Sequence, residues 1–277
     1  MAWLLVLCLA GACWAQPDVN RLMRRWYVVK YTKEARDYES SGEVRMVDRR
    51  GFVRSRKWVR RRILLWRSSP TFDYKDLIAF TYPEFARGLS LLVWTYKDPR
   101  REQDLWLWLP SLRKVRKISQ PENDDTFVGS DFTYEELNTR RFESETYRLL
   151  RQGPFEGYRC RYDGGLYYRG EPCFVVEARP RRTPWYYTHR VVWLSQRMPG
   201  ANVFERYYDQ RGRNFKVLFR RFVGPPALKY LSQVLLENAT LTERHHTEVI
   251  MPAKAIRYDQ GLSERLFSLR ALMRTKW

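Results

Sequence analysis

Short runs rich in apolar and aromatic residues, separated by turn residues, occur along most of the chain, which is the pattern of β-strands. The strongest run is Leu-Trp-Leu-Trp-Leu, which begins at Leu105. Its leucines fall on one side of an extended backbone, and Trp106 and Trp108 fall on the other. A strand here is apolar on both faces, so we expect other parts of the chain to cover it on both sides.

Residues 40–48 and 52–66 form the clearest hairpin of the sequence. They are joined by Asp48-Arg49-Arg50-Gly51, and the glycine can take the positive φ that a tight turn needs. Further extended runs are 76–82, 88–96, 112–118, 144–150, 173–178, 188–195, 202–208, 214–222, 230–237 and 247–258. So many strands make a sheet too large to stay flat, which predicts a mainly β (α+β) fold curled into a barrel or half-barrel.

Two short amphipathic helices are predicted to cover the open interior of this sheet. The first begins after Pro17 and Asp18 and repeats apolar residues at three- and four-residue steps. Thr133 and Glu136 have the spacing of a capping box, which predicts a second short helix from about Tyr134. The residues expected to form the lid are Leu22, Met23, Trp26, Tyr134 and Leu137.

The first residues of the chain have the character of an export signal. Met1 to Ala15 carry no charge and include an apolar run that is too short to be a permanent membrane helix. We therefore predict a signal peptide cleaved after Ala15, a location in the periplasm and a single mature domain over 16–277. An alternative is a lipoprotein signal in which Cys13 is acylated.

Removal of the signal would leave two cysteines, Cys160 and Cys173. An even pair in an exported protein predicts one disulfide, which would staple the long connection over 153–172. The alternative is a pair of unrelated buried thiols.

The chain is strongly basic, with 51 Lys and Arg against 31 Asp and Glu and a formal net charge of +20. Such a surface attracts anionic lipid headgroups or acidic partners. It would also bind nucleic acid nonspecifically, but export argues against nucleic acid as the natural ligand. The basic positions singled out as a strip are Arg54, Arg56, Arg60, Arg62, Arg113 and Arg116. This strip is either a docking surface for headgroups or a partner, or a solvated outer face.

The sequence gives no constellation typical of an enzyme or a metal site, so no catalytic residue, metal or cofactor is predicted. Only three histidines occur. His189 stands alone, and the adjacent His245 and His246 would point to opposite faces of a strand, where they could not easily bind one metal together.

Aromatic residues are abundant, with 11 Trp, 18 Tyr and 14 Phe. Any one of them is core by default, but their number on strands that already have another apolar face suggests a cavity. The candidate cavity residues are Trp94, Trp106, Trp108, Trp193, Phe80 and Leu92.

The segment from Asp104 to Leu137 resembles the bacterial outer-membrane lipoprotein-sorting proteins, relatives of LolA. The resemblance lies in its order: apolar strand, basic strand, acidic loop, Phe-Val-Gly-Ser-Asp-Phe and short helix. Residues 41–51 and 255–267 are similar as well. The resemblance implies an incomplete antiparallel β-barrel of about 11–12 strands that is covered by short helices. It also implies a hydrophobic half-barrel that shelters a lipid.

Together these features predict a noncatalytic carrier of lipoprotein acyl chains or a related lipid, moving between membranes. An incoming chain would displace the helix near Leu22 and Trp26. Possible partners are an inner-membrane transporter and an outer-membrane acceptor, with peripheral membrane contact. Two alternatives stay open at this point: an accessory subunit of a lipid-exporting pump of the RND type, docking through the basic strip, and an envelope hydrolase built around His189.

Overall fold

The computed structural model describes residues 17–118 and 125–274 of the chain. The predicted signal peptide over Met1–Ala15, and with it the alternative acylation site at Cys13, lies outside the described residues.

Strands make up most of the secondary structure. The two α-helices are α1 (Val19–Lys30) and α2 (Leu269–Arg274). The strands are β1 (Asp37–Val47), β2 (Val53–Leu64), β3 (Phe72–Tyr82), β4 (Ser90–Tyr96), β5 (Asp104–Leu109), β6 (Lys114–Ile118), β7 (Glu145–Pro154), β8 (Tyr158–Arg159), β9 (Leu166–Tyr167), β10 (Pro172–Pro180), β11 (His189–Ser195), β12 (Asn202–Tyr208), β13 (Asn214–Val223), β14 (Ser232–Thr240), β15 (His245–Ile250) and β16 (Ile256–Tyr258). Short 3-10 helices occur at Glu84–Ala86, Pro110–Leu112, Phe127–Gly129, Phe142–Ser144, Ala253–Ala255 and Glu264–Phe267, and Glu135–Thr139 forms a π-helical turn.

Fourteen strands form one open antiparallel sheet. Their order is β6-β5-β4-β3-β2-β1-β15-β14-β13-β12-β11-β10-β7, and β16 pairs with β1. The predicted fold, a large antiparallel sheet that does not close, is confirmed. The strand count exceeds the expected 11–12 partly because Pro252 divides the run over 247–258 into β15 and β16.

The topology places one connection across the open side of the sheet. The edge strands β6 and β7 are joined by the chain between Ile118 and Glu145. We call the described part of this connection, 125–144, the plug. It packs on the face of the sheet that we call the inner face, where Phe127, Phe132 and Tyr134 share one apolar cluster with Phe80. The sheet is therefore covered on its inner face by its own edge-to-edge connection.

Helix α1 covers the other half of the inner face. The Asp18 side chain accepts a hydrogen bond from the Asn20 amide at 2.9 Å, which satisfies one unpaired donor at the helix start. Met23 and Trp26 are fully buried against Val176 on β10 and neighbouring apolar residues of β11. The predicted N-terminal amphipathic helix is confirmed.

Two other segments cover the opposite, outer face. The C-terminal segment packs Phe267 and Leu272 against Leu77 and Leu92, and the small β8–β9 hairpin covers a second apolar cluster around Trp193. Strand β5, which is apolar on both faces, is thus covered on both faces, as its sequence predicted. In the described part of the chain, no helix is both long enough and apolar enough to cross a membrane.

Candidate functional site

The plug is held in shape by a capping box at its centre. The Thr133 amide donates to Glu136 Oε2 at 3.0 Å, and the Glu136 amide donates to Thr133 Oγ1 at 3.1 Å. The spacing of these two residues in the sequence predicted this pairing, although the turn that follows is π-helical over Glu135–Thr139.

Buried polar contacts fasten this turn to the sheet. Lys216 Nζ on β13 lies 2.9 Å from both carboxylate oxygens of Glu136, and Asn238 Nδ2 on β14 donates to the same carboxylate at 3.1 Å. The side chains of Glu136 and Lys216 are 1% and 5% exposed. Separating a buried ion pair leaves uncompensated charge in the interior and strongly lowers stability, so this pair fixes the position of the plug.

Asp131 is a second anchor of the plug. Its carboxylate accepts hydrogen bonds from Thr240 at 2.6 Å and Thr247 at 2.7 Å, and it lies 2.5 Å from His245 Nδ1. Burial alone would lower the pKa of His245, but the hydrogen bonds to Glu243 and Asp131 raise it above its ordinary value.

A third anchor runs from Arg140 into the buried centre of the sheet. Arg140 donates to the Tyr207 hydroxyl at 2.7 Å, and Tyr207 donates to Glu205 at 2.9 Å. Glu205 also pairs with Arg190 at 2.5 Å and with Arg220. Burial would raise the pKa of Glu205, but the surrounding guanidinium groups hold it far below its usual range. The carboxylate is therefore charged and central to the network.

A cavity of about 100 Å³ remains between the plug and the inner faces of β1–β3, β14 and β15. Apolar side chains make up most of its wall. They are Val44, Met46, Trp58, Ile78, Phe80, Phe127, Phe132, Leu137, Leu236, Val249 and Met251, with Arg56, Arg60, Ser130 and Gln233 as the polar members. We call this space the apolar cavity.

A second cavity of about 100 Å³ adjoins the first. Five residues line both spaces and form the partition between them: Leu137 of the plug, Arg60, Gln233 and Leu236 of the sheet, and Met251, which follows β15. The second cavity is more polar, and Lys30 at the end of α1 lines it. Burial, with the nearby charges of Arg140 and Arg220, lowers the pKa of Lys30 well below its ordinary value.

This arrangement suits an apolar guest more than a chemical reaction. Typical ligand pockets hold roughly 300–1,000 Å³, so neither cavity can enclose a long chain while the plug stays in place. Movement of the plug would join the two spaces, because Leu137 is part of the partition.

The structure separates most of the predicted cavity residues from this site. Phe80 lines the apolar cavity. Trp94, Trp106, Trp108 and Leu92 instead lie on the outer face, where they pack under the C-terminal segment, and Trp94 Nε1 donates to the Phe267 carbonyl at 2.8 Å. Their predicted placement in the cavity is wrong, because a strand that is apolar on both faces does not reveal which face is inward.

Trp193 is also on the outer face and packs against Phe155 and Phe204 near the β8–β9 hairpin. Sequence reasoning missed Trp58, Phe132, Leu236 and Met251, which do line the apolar cavity. Trp58 is two residues from both Arg56 and Arg60 in β2, and this spacing could have indicated that all three side chains face the same side.

The predicted lid residues divide into two groups. Tyr134 and Leu137 belong to the plug beside the apolar cavity, and Leu137 forms part of its wall. Leu22, Met23 and Trp26 pack on the other half of the inner face, against Val176 and its neighbours. Near the cavities, α1 contributes only its last residues, Val29 and Lys30.

The predicted basic strip is not one continuous outward surface. Arg60 and Arg62 both pair with Asp76, at 2.6 Å for Arg62, and Arg62 and Asp76 are almost completely buried. Arg56 lines the apolar cavity, where burial and the nearby charge of Arg54 lower its pKa. Period-two alternation turns these arginines inward with Trp58. Arg54, Arg113 and Arg116 are exposed.

The predicted disulfide is wrong for this structure. Cys160 and Cys173 are free and buried. The Cys160 thiol lies 3.5 Å from the Glu237 carboxylate, so its sulfur contacts a carboxylate instead of bonding to a second sulfur. Burial raises the pKa of both thiols to about 12. The prediction was based on the even number of cysteines, which does not show whether the two sulfur atoms are close enough to bond.

The histidines lie apart. His189 stacks on Tyr208 with ring centroids 4.5 Å apart, and burial lowers its pKa. His245 contacts Asp131, whereas His246 Nε2 lies 3.1 Å from Glu248, so the adjacent pair does face opposite sides of β15. Over residues 17–118 and 125–274, no group of three or more His, Cys, Asp or Glu side chains could hold a metal ion.

A family model described as "Uncharacterized protein" matches residues 73–274, which is well over half of the chain. The chain belongs to this family. The match begins at β3 and includes the plug and the partition residues Leu137, Leu236 and Met251. None of the curated proteins matches the chain.

Solved structures resemble this family member over nearly its full length. A domain from Vibrio parahaemolyticus described as an outer membrane lipoprotein-sorting protein is 21% identical, with a TM-score of 0.75 over 92% of this chain and 98% of that chain. A DUF1329 family protein from Desulfovibrio piger is 22% identical, with a TM-score of 0.74 over 93% of this chain and 100% of that chain. A LolA superfamily protein from Nitrosomonas europaea is 12% identical, with a TM-score of 0.63 over 91% and 98%. The predicted resemblance is confirmed, and the fold is LolA-like.

Proposed function

We propose that the protein is a noncatalytic carrier that shelters the acyl chains of a lipoprotein or a related lipid between the sheet and the plug. The observation that carries this proposal is the pair of adjoining cavities on the inner face. The apolar residues between them are Leu137, Leu236 and Met251, and the polar ones are Arg60 and Gln233. The fold shared with a lipoprotein-sorting domain supports the same assignment.

The chemistry of the apolar cavity favours hydrocarbon. Its wall is built mainly from aromatic, aliphatic and methionine side chains, with Trp58 and Phe80 on one side and Phe127 and Phe132 of the plug on the other. Moving a methylene group out of water into such surroundings is worth about 0.8 kcal/mol. A chain of a dozen or so methylenes would therefore gain enough to compete with the contacts of the plug.

Loading proceeds by displacement of the plug. The plug lies between the two edges of an open sheet, so its exit does not require the sheet itself to unfold. When Leu137 moves away, the two cavities become one larger space. The polar anchors at Asp131, Glu136 and Arg140 return the plug once the guest leaves, and helix α1 stays on the other half of the inner face.

We place this carrier in the periplasm, where it would receive its guest from an inner-membrane transporter and deliver it to an outer-membrane acceptor. The net charge of +20 favours transient contact with anionic membrane surfaces during both steps. The pump-subunit alternative relied on an outward basic strip, and the inward positions of Arg60 and Arg62 remove that support.

The test is a binding titration on protein purified from its native envelope. Lipid should be present in an organic extract of the purified protein, and the delipidated protein should bind a fluorescent fatty-acyl probe saturably at one site. A triacylated lipopeptide should displace the probe, whereas its unacylated peptide, the matched control, should not. Absence of both extracted lipid and saturable probe binding would contradict the proposal.

A further inference from the structure

A cleft of about 300 Å³ lies away from the two cavities, at the opposite ends of β3 and β4 from Phe80 and the β3–β4 turn. One wall is the β4–β5 connection over 97–103, and the other is the β10–β11 connection over 181–188. These connections belong to opposite sides of the open sheet. We call this space the arginine cleft, because Arg100 and Arg101 line one wall, Arg181 and Arg182 line the other, and Arg141 of the plug lies between them.

Arg141 is the most unusual member of this group. It is 9% exposed, and its guanidinium donates to two backbone carbonyls, those of Asp98 at 3.0 Å and Arg101 at 2.7 Å. Among residues 17–118 and 125–274, no carboxylate forms an ion pair with it. A buried cation whose hydrogen bonds go to carbonyl groups rather than to a carboxylate favours an anion next to it.

Two other arginines are oriented by aromatic rings. The Arg101 guanidinium lies 3.4 Å from the centroid of the Tyr96 ring, and that of Arg182 lies 4.7 Å from the Trp185 ring. Both distances are within cation–π range, and a guanidinium carries five N–H donors, more than one ring contact uses, so N–H groups remain for an oxyanion. The rings also restrict the rotamers of both side chains, which lowers the entropy cost of binding.

The acidic residues of the cleft do not cancel these charges. Glu135 is buried and already pairs with Arg140 at 3.1 Å, and Asp98, which is outside the cleft wall, pairs with Arg100 at the same distance. Glu102 is the remaining carboxylate in the wall. Arg101, Arg141, Arg181 and Arg182 therefore leave an excess of positive charge.

We propose that the arginine cleft is a binding site for a phosphate group, held by guanidinium groups from both sides of the open sheet. A terminal phosphate presents three oxygens and up to two charges, so it can accept from both walls at once, which a single carboxylate does less well. Occupancy would link the β4–β5 and β10–β11 connections across Arg141 of the plug.

Calorimetric titration with inorganic pyrophosphate, at ionic strength held constant with chloride, tests this proposal. We expect saturable binding that is at least about tenfold weaker in the double variant Arg181→Gln/Arg182→Gln, because each lost guanidinium removes charge-assisted hydrogen bonds. The matched control is Arg49→Gln/Arg50→Gln, which removes an equally exposed adjacent pair from the β1–β2 turn. Its affinity for pyrophosphate should be unchanged.

A second arm identifies the source of the phosphate. Vesicles of phosphatidic acid in a phosphatidylcholine background offer the same group on a membrane. Equal loss of vesicle and pyrophosphate binding in Arg181→Gln/Arg182→Gln supports a lipid headgroup, and loss of pyrophosphate binding alone supports a soluble phosphate compound. No saturable pyrophosphate binding by the native protein, or equal weakening in both double variants, would overturn the site.

Discussion

Replacement of Glu205 by glutamine is expected to lower the free energy of unfolding by about 3–5 kcal/mol, the cost of leaving buried charge without its partner. The Glu205 side chain is fully buried, as is that of Arg190, and Arg220 is 6% exposed. Glutamine keeps the shape of the side chain but cannot neutralise these guanidinium groups. Chemical denaturation followed by circular dichroism measures the loss.

The control for this variant is Glu156→Gln. Glu156 pairs with Arg206, but its side chain is 64% exposed, so the loss should stay within about 1 kcal/mol. If Glu205→Gln unfolds no more easily than Glu156→Gln, the buried ionic centre does not stabilise the inner face as we describe.

Replacement of Val249 by tryptophan is expected to weaken binding of a fatty-acyl probe by at least about tenfold. Val249 lies on β15 and lines the apolar cavity together with Phe80 and residues of the plug. An indole at this position would occupy the space that the guest needs. Inserting extra side-chain atoms into a packed space costs about 1–3 kcal/mol, and we expect the free energy of probe binding to become less favourable by a similar amount. Fluorescence titration of the delipidated variant gives the affinity.

Val59→Trp is the matched control. Val59 follows Trp58 on β2, and since Trp58 lines the apolar cavity, the side chain of Val59 is on the opposite face of the sheet. The same substitution there should leave probe affinity unchanged. Equal loss in both variants would mean that the added ring acts through stability, and no loss in Val249→Trp would mean that the guest binds elsewhere.

The parts of the fold that could be predicted from sequence depend on local signals. Gly51 adopts a positive φ of 83° in the β1–β2 turn, as the hairpin pattern requires. The capping box of Thr133 and Glu136 forms because its two members are three residues apart. Helix α1 follows from its cap at Asp18 and its apolar spacing. In each case the residues that interact are only a few positions apart in the sequence, so the local pattern is sufficient to predict the structure.

The parts that could not be predicted depend on partners far apart in the chain. Lys216 meets Glu136 across a separation of 80 residues, and no local pattern marks that pair. Arg62 looked like a surface residue, but Asp76 on the neighbouring strand neutralises it inside the sheet. Trp106 was assigned to the wrong face, because alternation defines two faces and does not say which of them the plug covers.

The central claim is that hydrocarbon lies between the plug and the inner face of the sheet. Its most direct test is photolabelling of the purified protein with a fatty acid that carries a diazirine near the end of its chain, followed by peptide mass spectrometry. We predict labels on residues that line the apolar cavity, such as Phe80, Leu137 and Met251, and their loss when excess unlabelled lipid is added. Labels confined to the outer face around Trp94 and Trp106, or labels that excess lipid does not reduce, would contradict the account.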